Sequence, residues 1–254
     1  MPPLIDLSGK NAIVTGGSRG VGRATALLLA RAGASVGIGY RSREEEADDV
    51  VEACRDLGVH AWAEKGDLAR REDVEALFER GDAEFDGLDI FVGNHGIWPP
   101  RDAALAEMDD EQWHRTMDVN LHSIFYASRA AARRLRDHGR VVLVGSTAGQ
   151  RGEAFHADYA ATKGAMISLV KGFCVELGPR GITVNVVAPG WIDTEMSAGT
   201  LVGTGRAAVE ASIPIGRIAT ADDVAGPILF LCSELGRHCT GEILNVNGGA
   251  VLVG

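Results

Sequence analysis

Cysteine is scarce in this sequence, and its four copies (Cys54, Cys174, Cys232 and Cys239) form no Cys-x-x-Cys pair. The N-terminal run Met1-Pro2-Pro3-Leu4-Ile5-Asp6 lacks the apolar core of a secretory signal. A reduced, cytoplasmic compartment is therefore expected, with the cysteines as small buried side chains. No His-Glu-x-x-His or other histidine cluster occurs, so no metal is expected. No basic stripe offsets the net charge of −10 and the pI of about 5.2, which argues against a nucleic-acid partner. No apolar run approaches the ~20 residues that span a bilayer. Repeats, low-complexity tracts and linkers are also missing, so no domain boundary is drawn. The 254 residues, 46% hydrophobic and 24% charged, suit one large globular domain over 1–254.

What is present begins near the N-terminus. Lys10 to Thr15 reads as a short buried strand, and a helical pattern runs from Arg23 to Ala32. Between them lies Gly16-Gly17-Ser18-Arg19-Gly20-Val21-Gly22. Glycines between strand and helix allow a tight turn and close approach of main chain to a pyrophosphate, whose charge then sits at the helix N-terminus. The spacing is Thr15-Gly16-x-x-x-Gly20-x-Gly22, a variant of Gly-x-Gly-x-x-Gly. A second strand, Ala34 to Tyr40, ends in Arg41-Ser42-Arg43. An acid at this place binds the 2′-hydroxyl of NAD, whereas an arginine accommodates the 2′-phosphate of NADP. Arg41, with Arg19 in the glycine loop, points to NADP. The alternative is that Arg41 and Arg43 pair with Glu44, Glu45 and Glu46.

Strands and helices then alternate. Helices are expected over 44–57, 74–85, 109–136, 159–177 and 222–235, and strands over 59–64, 88–92, 140–145, 182–188 and 242–246. Right-handed βαβ units and a doubly wound parallel sheet of the Rossmann type, covered by helices on both faces, follow from that alternation. Ligands of such sheets bind beyond the carboxyl ends of the strands. Polar candidates occur there in succession: the glycine loop, Arg41 and Ser42, Asp67 and Leu68, Asn94 and Gly96, Ser146, and the run Pro189-Gly190 to Ile192 and Thr194.

Tyr159 and Lys163 stand four residues apart in a helix-forming run, on one face of the helix. A phenol titrates near ~10, too high for easy proton exchange at neutral pH. A neighbouring ammonium favours the phenolate, so the pair can be read as a tuned general acid/base or as a solvated helix face.

With Thr15 to Gly22, Gly66-Asp67-Leu68, Asn94-His95-Gly96, Asn120, Ser146, Tyr159-x-x-x-Lys163 and Pro189-Gly190 in this order, the sequence resembles the short-chain dehydrogenase/reductase family from Leu7 to the C-terminus. The resemblance implies hydride transfer between NADP(H) and a ketone or secondary alcohol. Tyr159 would be the proton donor, with Ser146 holding the same carbonyl oxygen. Lys163 would lower the tyrosine pKa and bind the nicotinamide ribose. Asn120 would support a water that links Lys163 to solvent. Asp67 would meet the adenine, Asn94 the adenosine side and Thr194 the carboxamide. One departure is Gly93-Asn94-His95-Gly96 where relatives usually carry Asn-Asn-Ala-Gly, which puts some inter-strand support in doubt.

Within the family the chain is most like bacterial 3-oxoacyl-carrier-protein reductases and glucose-dehydrogenase-like members, so an acyl-carrier-bound substrate is one expectation. Arg180 matches one basic patch that docks an acidic carrier. Ala131 stands at the other, with Arg133 and Arg134 nearby. Trp98-Pro99-Pro100, Gln150 to His156, Trp191 and a glycine-containing lid from Ser197 to Arg206 are expected to line the substrate pocket. Trp98 and Trp191 suit an apolar or ring-shaped ligand, Gln150 a polar one. The alternatives are a sugar, polyol or steroid-like alcohol dehydrogenase using NAD(P), and a nucleotide-binding scaffold without catalysis. The resemblance also implies a homotetramer built on the helices of 109–136 and 159–177, with the apolar end from Gly248 to Gly254 at an interface.

Overall fold

The computed structural model describes residues 4–99 and 101–253. Seven parallel strands form one sheet in the order β3-β2-β1-β4-β5-β6-β7. They are β1 (Asn11–Thr15), β2 (Ser35–Tyr40), β3 (Ala61–Lys65), β4 (Leu88–Gly93), β5 (Leu135–Val144), β6 (Thr183–Pro189) and β7 (Ile243–Val246). The order runs outward from β1 to β3 and then restarts on the other side of β1 with β4. Connections on the two sides of β1 and β4 therefore leave the sheet in opposite directions, and a crevice opens between them at the carboxyl edge.

Nine α-helices occur among the described residues: α1 (Gly20–Arg31), α2 (Glu44–Asp56), α3 (Arg71–Glu84), α4 (Asp110–Met117), α5 (Ser123–Arg134), α6 (Ala148–Arg151), α7 (Ala157–Leu177), α8 (Gly205–Ser212) and α9 (Ala221–Cys232). Successive strand residues point to opposite faces, and both faces are apolar. Val14, Val36, Ile38 and Val92 pack under Leu29 of α1, Val50 of α2 and Ile228 of α9. Ile13, Phe91, Val141 and Leu143 pack under Phe78 of α3, Ile124 of α5 and Met166 of α7. The unbroken apolar runs of the strands follow from this double cover. A third, small cluster joins Leu201, Ile213 and Ile218, with Trp191 against it.

The sheet and most of its helices match the pattern read from the sequence, with instructive differences. Helix α1 starts at Gly20, so the glycine loop itself forms the first turn. The 109–136 region is helical without a break from Asp110 to Arg134, but not uniformly α-helical. A π-helical turn over Asp118–His122 separates α4 from α5, and the chain leaves the helix at Arg134. Strand β5 begins at Leu135, which pairs with Leu88 before a register shift to Ile90 and Arg140. The shift falls beside His138, whose φ is +64°, and Gly139. Short helices α6 and α8 carry too few residues to show a period. No helix among the described residues is long and apolar enough to cross a membrane.

Candidate active site

A cleft of about 710 Å³ lies over the carboxyl edge at the β1/β4 reversal. Its floor is the glycine loop. Gly16 turns with φ of +63°, and Gly22 packs so tightly that a Cβ there would lie 2.1 Å from the Gly16 carbonyl oxygen. Arg19, the residue before α1, makes no side-chain cap, so the free N–H groups of the first turn at Gly20, Val21 and Gly22 face an anion position. Ser18, Arg19, Gly20 and Val21 line the cleft, and Gly22 supports them from behind.

The adenosine-side candidates converge on the same space. Arg41, Ser42, Asp67 and Leu68 line it from the ends of β2 and β3, together with Arg43. Arg41 lies 3.9 Å from Asp67, and Arg43 pairs with Glu46 at 2.7 Å. The side chain of Asn94 is used structurally: its amide donates to the carbonyls of Thr15 at 2.9 Å and Gly16 at 3.2 Å. Asn94 thus ties β4 to the start of the glycine loop, and both it and Gly96 border the cleft. Glycine loop, free helix N-terminus and nearby guanidiniums are the donor set a dinucleotide phosphate requires.

The other wall carries Ser146, Tyr159 and Lys163. Ser146 lies just beyond the end of β5, and its hydroxyl accepts from the Ala148 N–H at 3.1 Å. Tyr159 and Lys163 sit on the buried face of α7, with 8% and 4% of their surfaces exposed. Lys163 donates to the Val144 carbonyl at 2.9 Å. Burial pushes the Tyr159 phenol up to about 12, against a hydrogen bond with Ser146 that lowers it. Burial likewise pulls the Lys163 ammonium down to about 8. The expectation that Lys163 lowers the tyrosine pKa is therefore not met in the free protein. The ammonium is held on the main chain, 5.7 Å from the centre of the phenol ring, and desolvation dominates.

Asn120 is fully buried in the π-helical turn. Its amide accepts from the Ile97 N–H at 2.7 Å and donates to the Ile97 carbonyl at 2.9 Å. The side chain therefore clamps the strand-end loop and does not line the cleft. Gly96 lets this clamp close, since a Cβ there would lie 3.1 Å from Asn120 Oδ1.

Pro189, Gly190, Ile192 and Thr194 line the cleft after β6, as do Trp98 and Trp191. Trp98 stacks on His156 with ring centres 4.0 Å apart and meets Tyr159 edge-on at 4.8 Å. Gln150 does not line the cleft; its Oε1 is buried on α6. Arg151 and Glu153 line it instead. Pro100 lies outside the described residues. Arg180 is committed to Asp137 at 2.9 Å and to the carbonyls of Ala132 and Leu135, and Arg134 to Asp82 at 2.8 Å. Of the expected docking arginines, Arg133 alone is exposed, while Arg134 and Arg180 are half-buried.

Three participants were given no role from the sequence. His95 bridges Thr15 Oγ1 and Ser123 Oγ, each at 2.7 Å. Asp158, fully buried, accepts from Thr116 Oγ1 at 2.8 Å and joins α4 to α7. Glu195 reaches Arg19 and Arg43 across the cleft mouth. Only His95 left a signal, as a bulky residue in the Asn94-His95-Gly96 motif.

Known proteins share this architecture. A family model described as enoyl-(acyl carrier protein) reductase matches residues 16–251. The 3-oxoacyl-[acyl-carrier-protein] reductase FabG of Escherichia coli K12 is 39% identical over 251 residues, covering 98% of this chain and 100% of the relative. The protein of that name from Staphylococcus aureus Mu50 is 36% identical, covering 94% and 97%. Among solved structures, a short-chain dehydrogenase from Burkholderia cenocepacia J2315 in complex with NADP is 40% identical, with a TM-score of 0.91 over 96% of this chain and 98% of that one. A glucose/ribitol dehydrogenase of the short-chain type from Brucella melitensis gives 0.91 at 32% identity, covering 98% and 99%.

Proposed function

Because the chain belongs to the short-chain dehydrogenase/reductase family, we propose that it is an NADP(H)-dependent ketoreductase acting on a 3-oxoacyl group borne on an acyl carrier. The observation that carries this reading is that Tyr159, Ser146 and Lys163 meet on one wall of a cleft whose other wall is a glycine cradle beside guanidiniums. The FabG relatives and the NADP-bound neighbour support the substrate class and the cofactor.

When bound, NADPH supplies the hydride that is added to the carbonyl carbon. The Tyr159 hydroxyl donates its proton to the carbonyl oxygen, completing a secondary alcohol. The Ser146 hydroxyl donates a hydrogen bond to the same oxygen and fixes its direction. A phenol near pKa 12 is a reluctant acid, and the Lys163 ammonium, which places one of its three donors on the Val144 carbonyl, lowers that value as it draws nearer the phenol when the ligands bind. Lys163 also binds the ribose hydroxyls. Asn120 keeps the π-helical turn and Ile97 in register beneath them, and in this reading supports the water that returns the proton. Asp67, Asn94 and Thr194 hold the adenine side and the carboxamide. Trp98 and Trp191 wall the substrate end.

The enzyme is proposed to work in the cytoplasm as a homotetramer. Exposed Phe125 on α5 and Val175 on α7 support packing of these helices against symmetry mates. A second reading is dehydrogenation of a sugar, polyol or steroid-like alcohol, favoured by the aromatic wall of Trp98 and by the Brucella neighbour. NADPH consumption against 3-oxoacyl, enoyl and sugar substrates separates the readings. Turnover of 3-oxoacyl thioesters is expected; turnover confined to sugars or to enoyl thioesters would overturn the first reading, and no turnover with any substrate would leave a nucleotide-binding scaffold.

A further inference from the structure

Arg19 stands at the start of α1 and Arg43 at the start of α2, on the edge of the cleft. These guanidiniums do not wait free for a ligand. One carboxylate, that of Glu195, pairs with both: with Arg43 at 3.0 Å and in closer contact with Arg19. Glu195 comes from the far side, on the segment that follows β6 and carries the cleft residues Trp191, Ile192 and Thr194. The same segment is tied at its other end, where Arg206 pairs with Asp193 at 2.7 Å. The remaining charges at this corner are spoken for: Arg43 also holds Glu46, and Arg41 faces Asp67.

We propose that Glu195 occupies the place of the cofactor's 2′-phosphate, as a carboxylate clasp that NADP(H) displaces and NAD(H) leaves shut. This inference rests on the NADP(H) reading above. A phosphate monoester carries about −1.5 to −2 at neutral pH, against −1 for the carboxylate, and offers three strong acceptor oxygens. It therefore takes both arginines. Glu195 is then left without a cation and beside a new negative charge, so the 193–204 segment is driven away from the adenosine corner. A cofactor without the phosphate brings no such rival. The clasp thus lowers affinity for the phosphorylated cofactor and couples its arrival to release of the segment that walls the substrate end.

Titration calorimetry of the full-length protein with 2′,5′-ADP and with 5′-AMP tests this, comparing wild type with Glu195→Gln. The substitution is expected to tighten 2′,5′-ADP about 3- to 10-fold, the scale of two exposed ion pairs, and to leave 5′-AMP within about 2-fold. Tryptic cleavage after Arg206 is expected to quicken when 2′,5′-ADP is added to wild type, and to be quick already in Glu195→Gln. If both proteins prefer 2′,5′-ADP by the same factor, the clasp is overturned while the NADP(H) reading stands. If neither prefers it, the NADP(H) reading fails, and the clasp with it.

Discussion

Lys163 donates its hydrogen bond to the Val144 carbonyl, 2.9 Å away, and leaves Tyr159 one helical turn below without an ammonium at its hydroxyl. The folded-state pKa of Lys163 falls to about 8, below its ordinary 10.5, because burial penalises the charge. Between these values the unfolded chain binds the extra proton, so stability rises with pH through that window. The contribution is complete above 10.5 and lost below about 8. Tyr159, raised to about 12, opposes it above pH 10, where the folded chain keeps a proton that the unfolded chain gives up. The clean window is therefore pH 8 to 10. Denaturant unfolding of the free protein at pH 7.5 and 9.5 should show wild type gaining about 2 kcal/mol on Lys163→Met. A constant difference would mean that Lys163 is not desolvated.

Tyr159→Phe removes the proton donor and keeps the ring that Trp98 packs against. Turnover should fall roughly 10²- to 10⁴-fold, the range for loss of a positioned acid. NADPH affinity, read by fluorescence titration, should stay within about 2-fold. Full retained turnover would remove Tyr159 from the chemistry.

How far the sequence carried these conclusions depended on the type of signal. A doubly covered strand core is apolar without interruption, so Val141 to Val144 announced itself. The residues gathered by the carboxyl-edge rule, Gly16, Arg41, Asp67, Asn94, Ser146 and Gly190, line one cleft, because a parallel sheet places every strand end on one side. Side-chain direction was not legible. Gln150 turns into α6, and Asn120 reaches back to Ile97, because a π-helical turn that no periodicity marks rotates it inward. Glu195 meets Arg19 across 176 residues, and nothing local predicts such a pair.

His95 assigns its own tautomer. The Ser123 hydroxyl donates to the Val119 carbonyl at 2.7 Å, so it accepts from His95 Nε2–H, and in the neutral ring Nδ1 then accepts from Thr15. The ring bridges the end of β1 to Ser123 at the start of α5. Burial, with Lys163 nearby, holds its pKa down at about 3. A depressed pKa gives stability that is present above the unfolded value of 6.5 and lost as pH falls toward 3. His95→Ala should cost about 1–3 kcal/mol at pH 7, since it removes two buried hydrogen bonds and leaves a gap between Thr15 and Ser123. The gap to wild type should narrow by about 2–3 kcal/mol at pH 4.5. A pH-independent gap would show that the ring accepts a proton without breaking the bridge.

Gly22 is the tightest point of the glycine cradle. A Cβ there would lie 2.1 Å from the Gly16 carbonyl oxygen and 2.5 Å from Asn94 Nδ2. The first contact is main chain, so no rotamer change relieves it. Either the Gly16 turn opens or α1 backs away from it, and both move the free N–H groups off the anion position. Gly22→Ala should therefore lower stability by about 1–3 kcal/mol, the cost of overpacking a close contact. It should also weaken 2′,5′-ADP binding at least 10-fold. Asn94→Ala added to it removes only the second contact, so the double variant should recover neither quantity. Recovery would locate the strain in the Asn94 amide and leave the Gly16 turn free to yield. Calorimetry and denaturant unfolding on the same two proteins decide between those outcomes.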